Sequence, residues 1–495
     1  MTGANNLRVV PGRDEFRALA AGGRRVPVFR EVPADQESPV SAFRKLDDGA
    51  HAFLLESLEG GEKWGRYSLL GSRPALVFVA RGERCEILEE GVTRACAGPP
   101  LEELRTLLAG RQAVALPGLP RFCGGAVGYL GADAARWFEG RPARTPPGSS
   151  LPEAVFLFTR VVAVFDHVAH TVKVVTHARG GTDPDAAWVA AVADLEVEIA
   201  RLAAPLAWPV PAPAAPLESP ASSLTRERFA SLVGRARAHL RAGDALQLTL
   251  ARHLSVPVQA PAFEVYRALR RTAPSPYGHF LRLGDFCLAG SSPGSLVRRA
   301  DDRVEAHVLT GTRPRGRTEE EERRLEEEMR AGERECAAHA LQVDLGRSDL
   351  GWVSESGTVD PGEWLRVQRD SQAMHLASTV RGRPRPDAGP LDLVRACFPA
   401  GADCGVPRVR AREITEELEP ASRGVHAGAV GYFDHRGGLD LCSTAHTLVI
   451  ADGRADWSAR AVITADTDPE SAWQEAQDQA RGRWLALQRA SGASR

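Results

Sequence analysis

The chain has 495 residues, of which 43% are hydrophobic and 25% charged, and its formal net charge is -2. This composition is typical of a globular protein with one large or two domain-sized cores, and it excludes the broad basic surface of nucleic-acid- and membrane-binding proteins. Only three of the 62 basic residues are lysines, the last being Lys173. The chain beyond it cannot form a lysine Schiff base, so we expect no pyridoxal phosphate (PLP) there.

The cysteines indicate a reducing compartment. All eight are scattered along the chain without a C-x-x-C pair, so we expect a cytoplasmic protein with no zinc and no haem. The first residues contain no apolar signal segment, and the most apolar run, residues 154–165, is short and interrupted by Arg160. That run predicts a buried strand, and we expect no membrane association.

The order of the chain predicts strands first, then a linker, then mixed helices and strands. Residues 8–130 alternate short apolar runs with glycine and proline, which is typical of strands. Residues 206–222 are rich in proline and alanine and predict an extended linker. Beyond the linker, apolar residues at helical spacing predict a helix that ends at Gly243, and residues 246–253 alternate like a strand.

A series of motifs carries a family resemblance. The two longest cover residues 54–68 and 398–411, and shorter ones lie at residues 243–247, 274–277, 290–293, 311–316, 344–349, 374–378 and 466–470. In this order and at this spacing, they resemble anthranilate synthase component I, the large subunit of the chorismate-utilising family. The resemblance covers most of the chain.

The resemblance implies an α+β fold in which antiparallel β-sheets form a large sandwich with surrounding helices. It also implies an N-terminal regulatory-type domain at residues 1–205 and a chorismate-binding-type catalytic domain at residues 223–495, with sheets that are expected to interleave. The partners that it suggests are a small anionic metabolite, a glutamine amidotransferase subunit and a tryptophan-like effector. No nucleic acid partner is expected.

The chemistry of the resembling family requires a bound Mg²⁺ ion. In that family ammonia attacks the ring of chorismate and the C4 hydroxyl leaves, while Mg²⁺ neutralises the ring carboxylate. Two helices each present a pair of glutamates three residues apart, on one helix face. Here Glu335 and Glu475 persist, but alanine stands at the other position of each pair, Ala338 and Ala472. We therefore expect a weakened Mg²⁺ site.

The resemblance also locates the general acid and the anion anchors, and both are altered. Gly294 stands where the family has the glutamate that protonates the leaving hydroxyl, and glycine has no proton to donate. His446 replaces the arginine that binds the pyruvyl carboxylate. Arg460 and Val462 replace two glycines of a loop that approaches the substrate closely.

The signature loop, residues 398–411, keeps its glycines and prolines but changes its side chains. Asp403, Cys404 and Arg408 are the altered polar positions, beside Gly405 and Val406. With His446 and Arg460, these five residues are the candidate substrate-binding set. The pattern indicates a scaffold that is kept and a pocket that is rebuilt for another ligand, or a site released from catalysis.

Three positions of the family's chemistry persist. The candidate catalytic residues are Gln247, Thr312 and His375. His375 is equally well explained as a histidine that is hydrogen-bonded in the core. Glutamine at position 247 matches the ammonia-adding members of the family, whereas the water-adding members have lysine there.

The sequence allows two further groups of functional residues. The first consists of His375, Cys404 and His446, which would supply a thiol nucleophile and its base, or the ligands of a soft metal. Scattered cysteines and histidines, however, more often pack in a core. An arginine cluster that binds a carboxylate or a phosphate is the favoured alternative, because anions favour bidentate arginine. Its members are Arg313, Arg408 and Arg460.

The resemblance implies a tryptophan pocket. The candidate effector-binding residues are Glu56, Ser57, Pro276 and Tyr277. Gly278 departs from the methionine of the family. Tryptophan or a related amino acid is expected to stabilise the protein.

Three functions compete on the sequence. The first is a repurposed enzyme of specialised metabolism that acts on a small anionic, chorismate-like or other substrate, with Mg²⁺-dependent anthranilate formation impaired. The second is a non-catalytic homologue that binds a small molecule or a partner subunit. The third is a genuine anthranilate synthase large subunit, a lyase. Erosion of the chemical positions in an intact scaffold favours the first.

Overall fold

The computed structural model describes residues 8–57, 65–140, 151–206, 217–369 and 373–492, without the side chains of Thr312, Pro314 and Arg334. Residues 207–216 of the predicted linker and residues 58–64 of the N-terminal motif thus lie outside the described residues. No helix in the described ranges has the length and the apolarity to cross a membrane.

Alternating burial produces the strands. In the segment His51–Glu56, Ala52 and Leu54 join one hydrophobic cluster and Phe53 joins another, because successive side chains of a strand point to opposite faces. The strands are β1 (Arg25–Pro33), β2 (His51–Glu56), β3 (Tyr67–Ser72), β4 (Leu76–Arg81), β5 (Arg84–Glu89), β6 (Val92–Ala95), β7 (Gly125–Leu130), β8 (Ala154–Phe158), β9 (Val161–Asp166), β10 (Thr171–Arg179), β11 (Ala221–Ser222), β12 (Gln247–Pro257), β13 (Tyr277–Leu283), β14 (Phe286–Ser292), β15 (Ser295–Ala300), β16 (Arg303–Pro314), β17 (Arg366–Arg369), β18 (Ala373–Gly382), β19 (Gly405–Val406), β20 (Ala429–Asp434), β21 (Leu439–Ser443), β22 (Thr447–Ala451) and β23 (Arg454–Ile463).

Within the described residues, these strands form two antiparallel sheets. The first sheet has the order β1-β10-β9-β3-β2-β13-β14-β22-β23-β12-β11, with β19 also paired to β12. The second has the order β17-β18-β16-β15-β21-β20-β7-β8-β4-β5-β6. Both sheets are continuous across the predicted domain boundary, through the pairs β2–β13 and β7–β20. The two halves of the chain thus share both sheets.

The helices begin and end at residues that suit helix termini. The predicted helix after the linker runs from Arg226 to Ala242, with Thr225 capping the Arg228 amide and Gly243 in the left-handed conformation at φ 82°. The helices are α1 (Arg13–Leu19), α2 (Pro39–Leu46), α3 (Pro100–Ala109), α4 (Ala135–Glu139), α5 (Pro184–Ala203), α6 (Arg226–Ala242), α7 (Ala262–Thr272), α8 (Glu319–Ala331), α9 (Glu333–Gly351), α10 (Pro390–Cys397), α11 (Gly401–Cys404), α12 (Arg408–Leu418) and α13 (Pro469–Ala490).

Three hydrophobic clusters define a layered sandwich. The cluster between the sheets includes Phe53 and Leu288 of the first sheet and Val127 and Leu157 of the second. A second cluster joins the outer face of the first sheet to helices that include α2, α5, α6 and α13. A third joins the outer face of the second sheet to α3, α4, α9 and α10. The α+β fold with antiparallel sheets in a sandwich, expected from the sequence, is confirmed.

The two copies of the sequence Gly-Ala-Val-Gly-Tyr lie side by side in the second sheet. Gly128 of β7 pairs with Gly431 of β20, at the centre of the sheet. A Cβ atom on Gly128 would lie 1.9 Å from the Val155 carbonyl oxygen, and one on Gly431 would lie 2.1 Å from the Asp440 carbonyl oxygen. The glycines therefore permit the close approach of neighbouring strands, which supports a structural role for the motif.

Candidate active site

The signature loop joins the first sheet at a single point. Its residues Gly405 and Val406 pair with Leu248 and Gln247 of β12. Strand β12 pairs in turn with β23, and alanines of α13 pack against the outer face of β23. The loop, both strands and the last helix thus meet in one region, which is the candidate active site.

Backbone geometry explains why the loop keeps its glycine. Gly405 has a φ of 120°, and a Cβ atom there would lie 2.3 Å from the carbonyl oxygen of Gln247. A side chain would therefore break the pairing of the loop with the sheet. Val406, beside it, is buried and extends the same short strand.

A polar side chain of the signature loop, Asp403, forms an ion pair. Its carboxylate pairs with the guanidinium of Arg460 on β23 and accepts a hydrogen bond from the Ser443 hydroxyl. The Asp403 side chain is 2% exposed and that of Arg460 is 16% exposed. Two residues that the sequence flagged separately therefore form one ion pair.

A second arginine, Arg483 of α13, lies beside this pair and was missed in the sequence. Its guanidinium donates to His446 Nδ1 at 3.1 Å and to the carbonyl oxygens of Ser458 and Gln479, both at 3.0 Å. Burial and the nearby charge of Arg460 lower the pKa of Arg483 to about 9. Its Nε is buried and has no hydrogen-bond partner among the described residues.

One periodic signal could have identified Arg483. Glu475, Gln479 and Arg483 are four residues apart along α13, so they share one helix face. Arg460 Nε donates to Gln479 Oε1 at 3.3 Å, and Glu475 accepts from the Val462 amide at 3.3 Å. Burial lowers the pKa of Arg460 to about 10, against the opposing effect of Glu475. The metal candidate Glu475 and the substrate candidate Arg460 thus belong to one group.

Arg408 is engaged elsewhere. Its guanidinium donates to Asp349 of α9 at 2.6 Å and to the carbonyl oxygens of Ala396 and, at 3.5 Å, Pro399. Burial raises the pKa of Asp349 to about 7, although the Arg408 charge opposes this. Arg313 pairs with Glu335 at 2.8 Å. Each arginine of the predicted anion cluster is therefore paired with a different carboxylate.

Cys404 is not poised as a nucleophile. It is 2% exposed, and its thiol donates to the Ala400 carbonyl oxygen at 3.3 Å. Burial raises the pKa of the Cys404 thiol to about 11, which opposes formation of the thiolate. His375 contacts the Gly311 carbonyl oxygen at 3.0 Å through Nδ1, and His446 contacts Arg483. The hydrogen bonds of the described residues engage each of the three residues with a different partner.

The other two candidate catalytic residues are Gln247 and Thr312, and Gln247 contacts helix α9. Gln247 is buried, and its Oε1 accepts from Gln342 Nε2 of α9 at 3.3 Å. His339 of the same helix contacts the hydroxyls of Thr310 at 2.6 Å and Ser378 at 2.7 Å, and burial lowers its pKa to about 4. It therefore ties α9 to β16 and β18 as a neutral imidazole. The side chain of Thr312 lies outside the described residues.

The general-acid position is closed by packing. A Cβ atom on Gly294 would lie 2.8 Å from Leu309 Cδ1 and 2.9 Å from His307 Nδ1. A glutamate at this position would therefore require Leu309 and His307 to move. Both contacts are with the ends of side chains that pack closely against Gly294.

Comparison with known proteins identifies the family to which this chain belongs. Residues 51–482 match a family described as chorismate binding enzyme. Anthranilate synthase component 1 from Acetivibrio thermocellus is 38% identical over 489 residues, covering 97% of this chain and 99% of its own. The same component from Streptomyces coelicolor is 41% identical over 494 residues, covering 98% and 93%. The chain belongs to the chorismate-binding enzyme family.

Solved structures agree with this assignment. Anthranilate synthase component I from Streptococcus pneumoniae superposes with a TM-score of 0.73 at 28% identity, covering 86% of this chain and 95% of its own. The menaquinone-specific isochorismate synthase from Escherichia coli shares the fold, with a TM-score of 0.68 at 18% identity, covering 96% and 98%. The resemblance to the anthranilate synthase large subunit is confirmed.

Two carboxylates remain at the positions where the resemblance implies a magnesium site. Glu335 is paired with Arg313, and Glu475 accepts from a backbone amide. Ala338 is half-buried and Ala472 is buried in the core, and neither carries an oxygen ligand. Among the described residues, no group of three or more His, Cys, Asp and Glu could hold a metal ion. Because Mg²⁺ is usually held by one or two carboxylates together with waters, Glu335 and Glu475 are the residues that would hold the ion that this resemblance implies.

The predicted effector pocket lies in the first sheet, where β2 pairs with β13. Glu56 is buried and accepts from the Tyr266 hydroxyl at 2.8 Å and from Arg270 at 3.1 Å. Tyr277 lies on β13, and burial of its hydroxyl group raises its pKa. The half-buried residues Ser57 and Pro276 flank these strands, and Gly278 pairs with Glu56. The four candidate residues thus lie at neighbouring ends of two paired strands.

Proposed function

We propose that this protein is a repurposed member of the chorismate-binding enzyme family, in which its own arginines bind a small anionic substrate. The observation that supports this most is the buried pair of guanidinium groups, Arg460 and Arg483, at the place where the signature loop meets β12 and β23. Guanidinium groups bind carboxylates through two parallel hydrogen bonds. In this proposal, the substrate binds without a divalent metal.

The conversion of chorismate to anthranilate is impaired in this proposal. Bound Mg²⁺ would neutralise the ring carboxylate, but Ala338 and Ala472 remove half of the carboxylates that would hold it. Gly294 cannot protonate a leaving hydroxyl, and general acids contribute roughly 10²–10⁴-fold to such steps. Arg460 and Arg483 position an anion in this proposal, and burial lowers the pKa of both guanidinium groups.

The experiment is a calorimetric titration of the protein with chorismate, once with EDTA and once with Mg²⁺. The proposal expects equal heats and equal affinity under both conditions, because the arginines supply the positive charge. Affinity that appears only with Mg²⁺ would contradict it. Incubation with chorismate, followed by mass spectrometry, then reports whether the bound compound is converted.

A second candidate function is a non-catalytic homologue that binds a small molecule or a partner subunit. The packing of Leu309 against Gly294 favours it, since the space for a general acid is filled. Binding of chorismate without any product would support this candidate. A glutamine amidotransferase partner belongs to either proposal, and co-purification with that subunit tests it. A genuine anthranilate synthase stays the third alternative.

A further inference from the structure

The ion pair between Asp403 and Arg460 joins a position that departs from the resembling motif to one that the motif leaves open. Arg460 stands where the resembling motif has glycine, and Asp403 lies in the signature loop, 57 residues away in the sequence. The contact is buried on both sides, with Asp403 2% exposed. A buried arginine with no counter-charge would be costly, so the carboxylate of Asp403 satisfies the guanidinium in the ligand-free protein.

The main chain under Asp403 is held independently of this pair. Arg423 donates to the Asp403 carbonyl oxygen at 2.6 Å, and the Thr249 hydroxyl donates to the Ala402 carbonyl oxygen at 3.1 Å. Among the described residues, the Asp403 carboxylate bonds to two side chains, those of Arg460 and Ser443. Rotation of this short side chain would therefore release Arg460 without unfolding the loop.

The neighbouring guanidinium has unused capacity. Arg483 is 4% exposed, and its Nε is buried with no hydrogen-bond partner in the described part of the chain. Buried N–H groups are nearly always paired in folded proteins. The Nε is therefore a donor that an entering acceptor oxygen would satisfy, beside the charge of Arg460.

We infer that Asp403 is a resident counter-ion that a ligand carboxylate displaces from Arg460, so that binding exchanges one carboxylate for another. The inference rests on the proposed function and adds the regulation of the same site. The entering carboxylate takes one bond from Arg460 and one from Arg483 Nε. The charges that surround it are those of Arg460, Arg483, Asp403 and Glu475, with the imidazole of His446 at the edge.

The exchange restricts the class of ligand. An occupant of this position must match a carboxylate in charge and planar shape, because Arg460 and Arg483 accept it in place of Asp403. The enclosure of the pair favours a small organic acid over a phosphate ester, which carries more charge than one displaced carboxylate balances. Asp403 then acts as a specificity residue that competes with weak ligands.

The test is calorimetry on four proteins: wild type, Asp403→Asn, Arg460→Gln and Asp349→Asn. The probes are chorismate, benzoate and pyruvate, each with EDTA. Asp403→Asn removes the competing charge, so we expect at least tenfold tighter binding of a probe. Arg460→Gln is expected to lose binding. Asp349→Asn is the comparison variant, because it removes a buried carboxylate from Arg408 of the same loop, and it is expected to change affinity less than Asp403→Asn.

The outcomes separate this inference from the proposed function. Equal or weaker binding to Asp403→Asn, with binding to wild type, would overturn the exchange and leave the proposed function standing. No binding of any probe to either protein would overturn both. Ser443→Ala offers a milder variant if Asp403→Asn does not fold, since it removes one of the two contacts of the carboxylate. It is expected to bind the probe at least threefold more tightly than wild type, and unchanged or weaker binding would overturn the exchange.

Discussion

The predicted effector pocket and the candidate active site each contain a buried carboxylate that pairs with an arginine, but the two pairs differ in how their residues compare with the family motifs. In the first, Glu56 bonds to Tyr266 and Arg270 and stands in a retained motif. In the second, Asp403 bonds to Arg460, which stands where the resembling motif has glycine. Each site buries a carboxylate against an arginine. The difference teaches that a buried carboxylate–arginine pair occurs in this fold both within a motif of the family and at a position where the motif has glycine.

The two pairs also differ in what they connect. Glu56 ties strand β2 to helix α7, two elements of the core. Asp403 ties a loop to β23, and the loop is held by other contacts as well. The Glu56 network is therefore expected to stabilise the fold, whereas the Asp403 pair is expected to set what the site binds. The following variants test that contrast.

The largest effect is expected from Glu56→Ala. It leaves the buried Tyr266 hydroxyl and the Arg270 guanidinium without their acceptor. Because Arg270 is partly exposed, we expect a loss of about 2–4 kcal/mol in the free energy of unfolding, measured with urea. The control is Glu196→Ala, whose partner Arg30 forms a pair exposed on the glutamate side, with an expected loss of about 0.5 kcal/mol. Equal losses would contradict the structural role of Glu56.

A pH effect is expected from Asp349. Burial raises its folded-state pKa to about 7, above the ordinary value of 3.8. The folded state therefore binds a proton more tightly, and the contribution to stability falls as pH rises from about 4 to 7. The slope is at most about 1.4 kcal/mol per pH unit. Asp349→Asn mimics the protonated form, so the difference in unfolding free energy between variant and wild type should grow across this window. A difference that is constant with pH would contradict this.

Tryptophan is expected to stabilise the protein through the Glu56 and Tyr277 region. A ligand present at about ten times its Kd adds about 1.4 kcal/mol, which raises Tm by one or two degrees in a chain of this size. Thermal unfolding with millimolar tryptophan measures it, with alanine as the control ligand. No shift in Tm with tryptophan would contradict the prediction that the effector pocket persists.

The smallest effect is expected from Ala338→Glu. The new carboxylate lies three residues from Glu335 on the same face of α9, so it restores one glutamate pair. We expect weak Mg²⁺ binding by calorimetry, about tenfold tighter than in wild type. Ala337→Glu is the matched control, since Ala337 is exposed and lies off that face. Equal binding by both variants would show that the metal position is not on this face.

Much of the fold follows from local pattern, but the new contacts do not. Alternation in β2 and helical spacing in α6 predict those elements, and the loop that runs into the helix at Arg408 is found where the motif predicted it. The partners Asp403 and Arg460 are far apart in sequence, so only the tertiary fold brings them together. Motif positions identified each residue and gave no information about the pairing.

Two further features lay beyond motif comparison. Arg483 lies outside every motif that carries the resemblance, and only its four-residue spacing from Gln479 and Glu475 indicates a shared face. The closure of the general-acid position depends on how Leu309 packs against Gly294, which is a property of the assembled core. The identity of residue 294 predicts that a general acid is missing, whereas the packing of Leu309 against it is known only from the assembled fold.

The most direct test of the central claim is the rate of anthranilate formation from chorismate and ammonia, followed by fluorescence while Mg²⁺ is titrated. Because the glutamate pairs and the general acid are incomplete, we predict no rate above that of the EDTA control at any Mg²⁺ concentration. A rate that rises and saturates with Mg²⁺ would mean that this site still performs the ordinary reaction, and it would contradict the account.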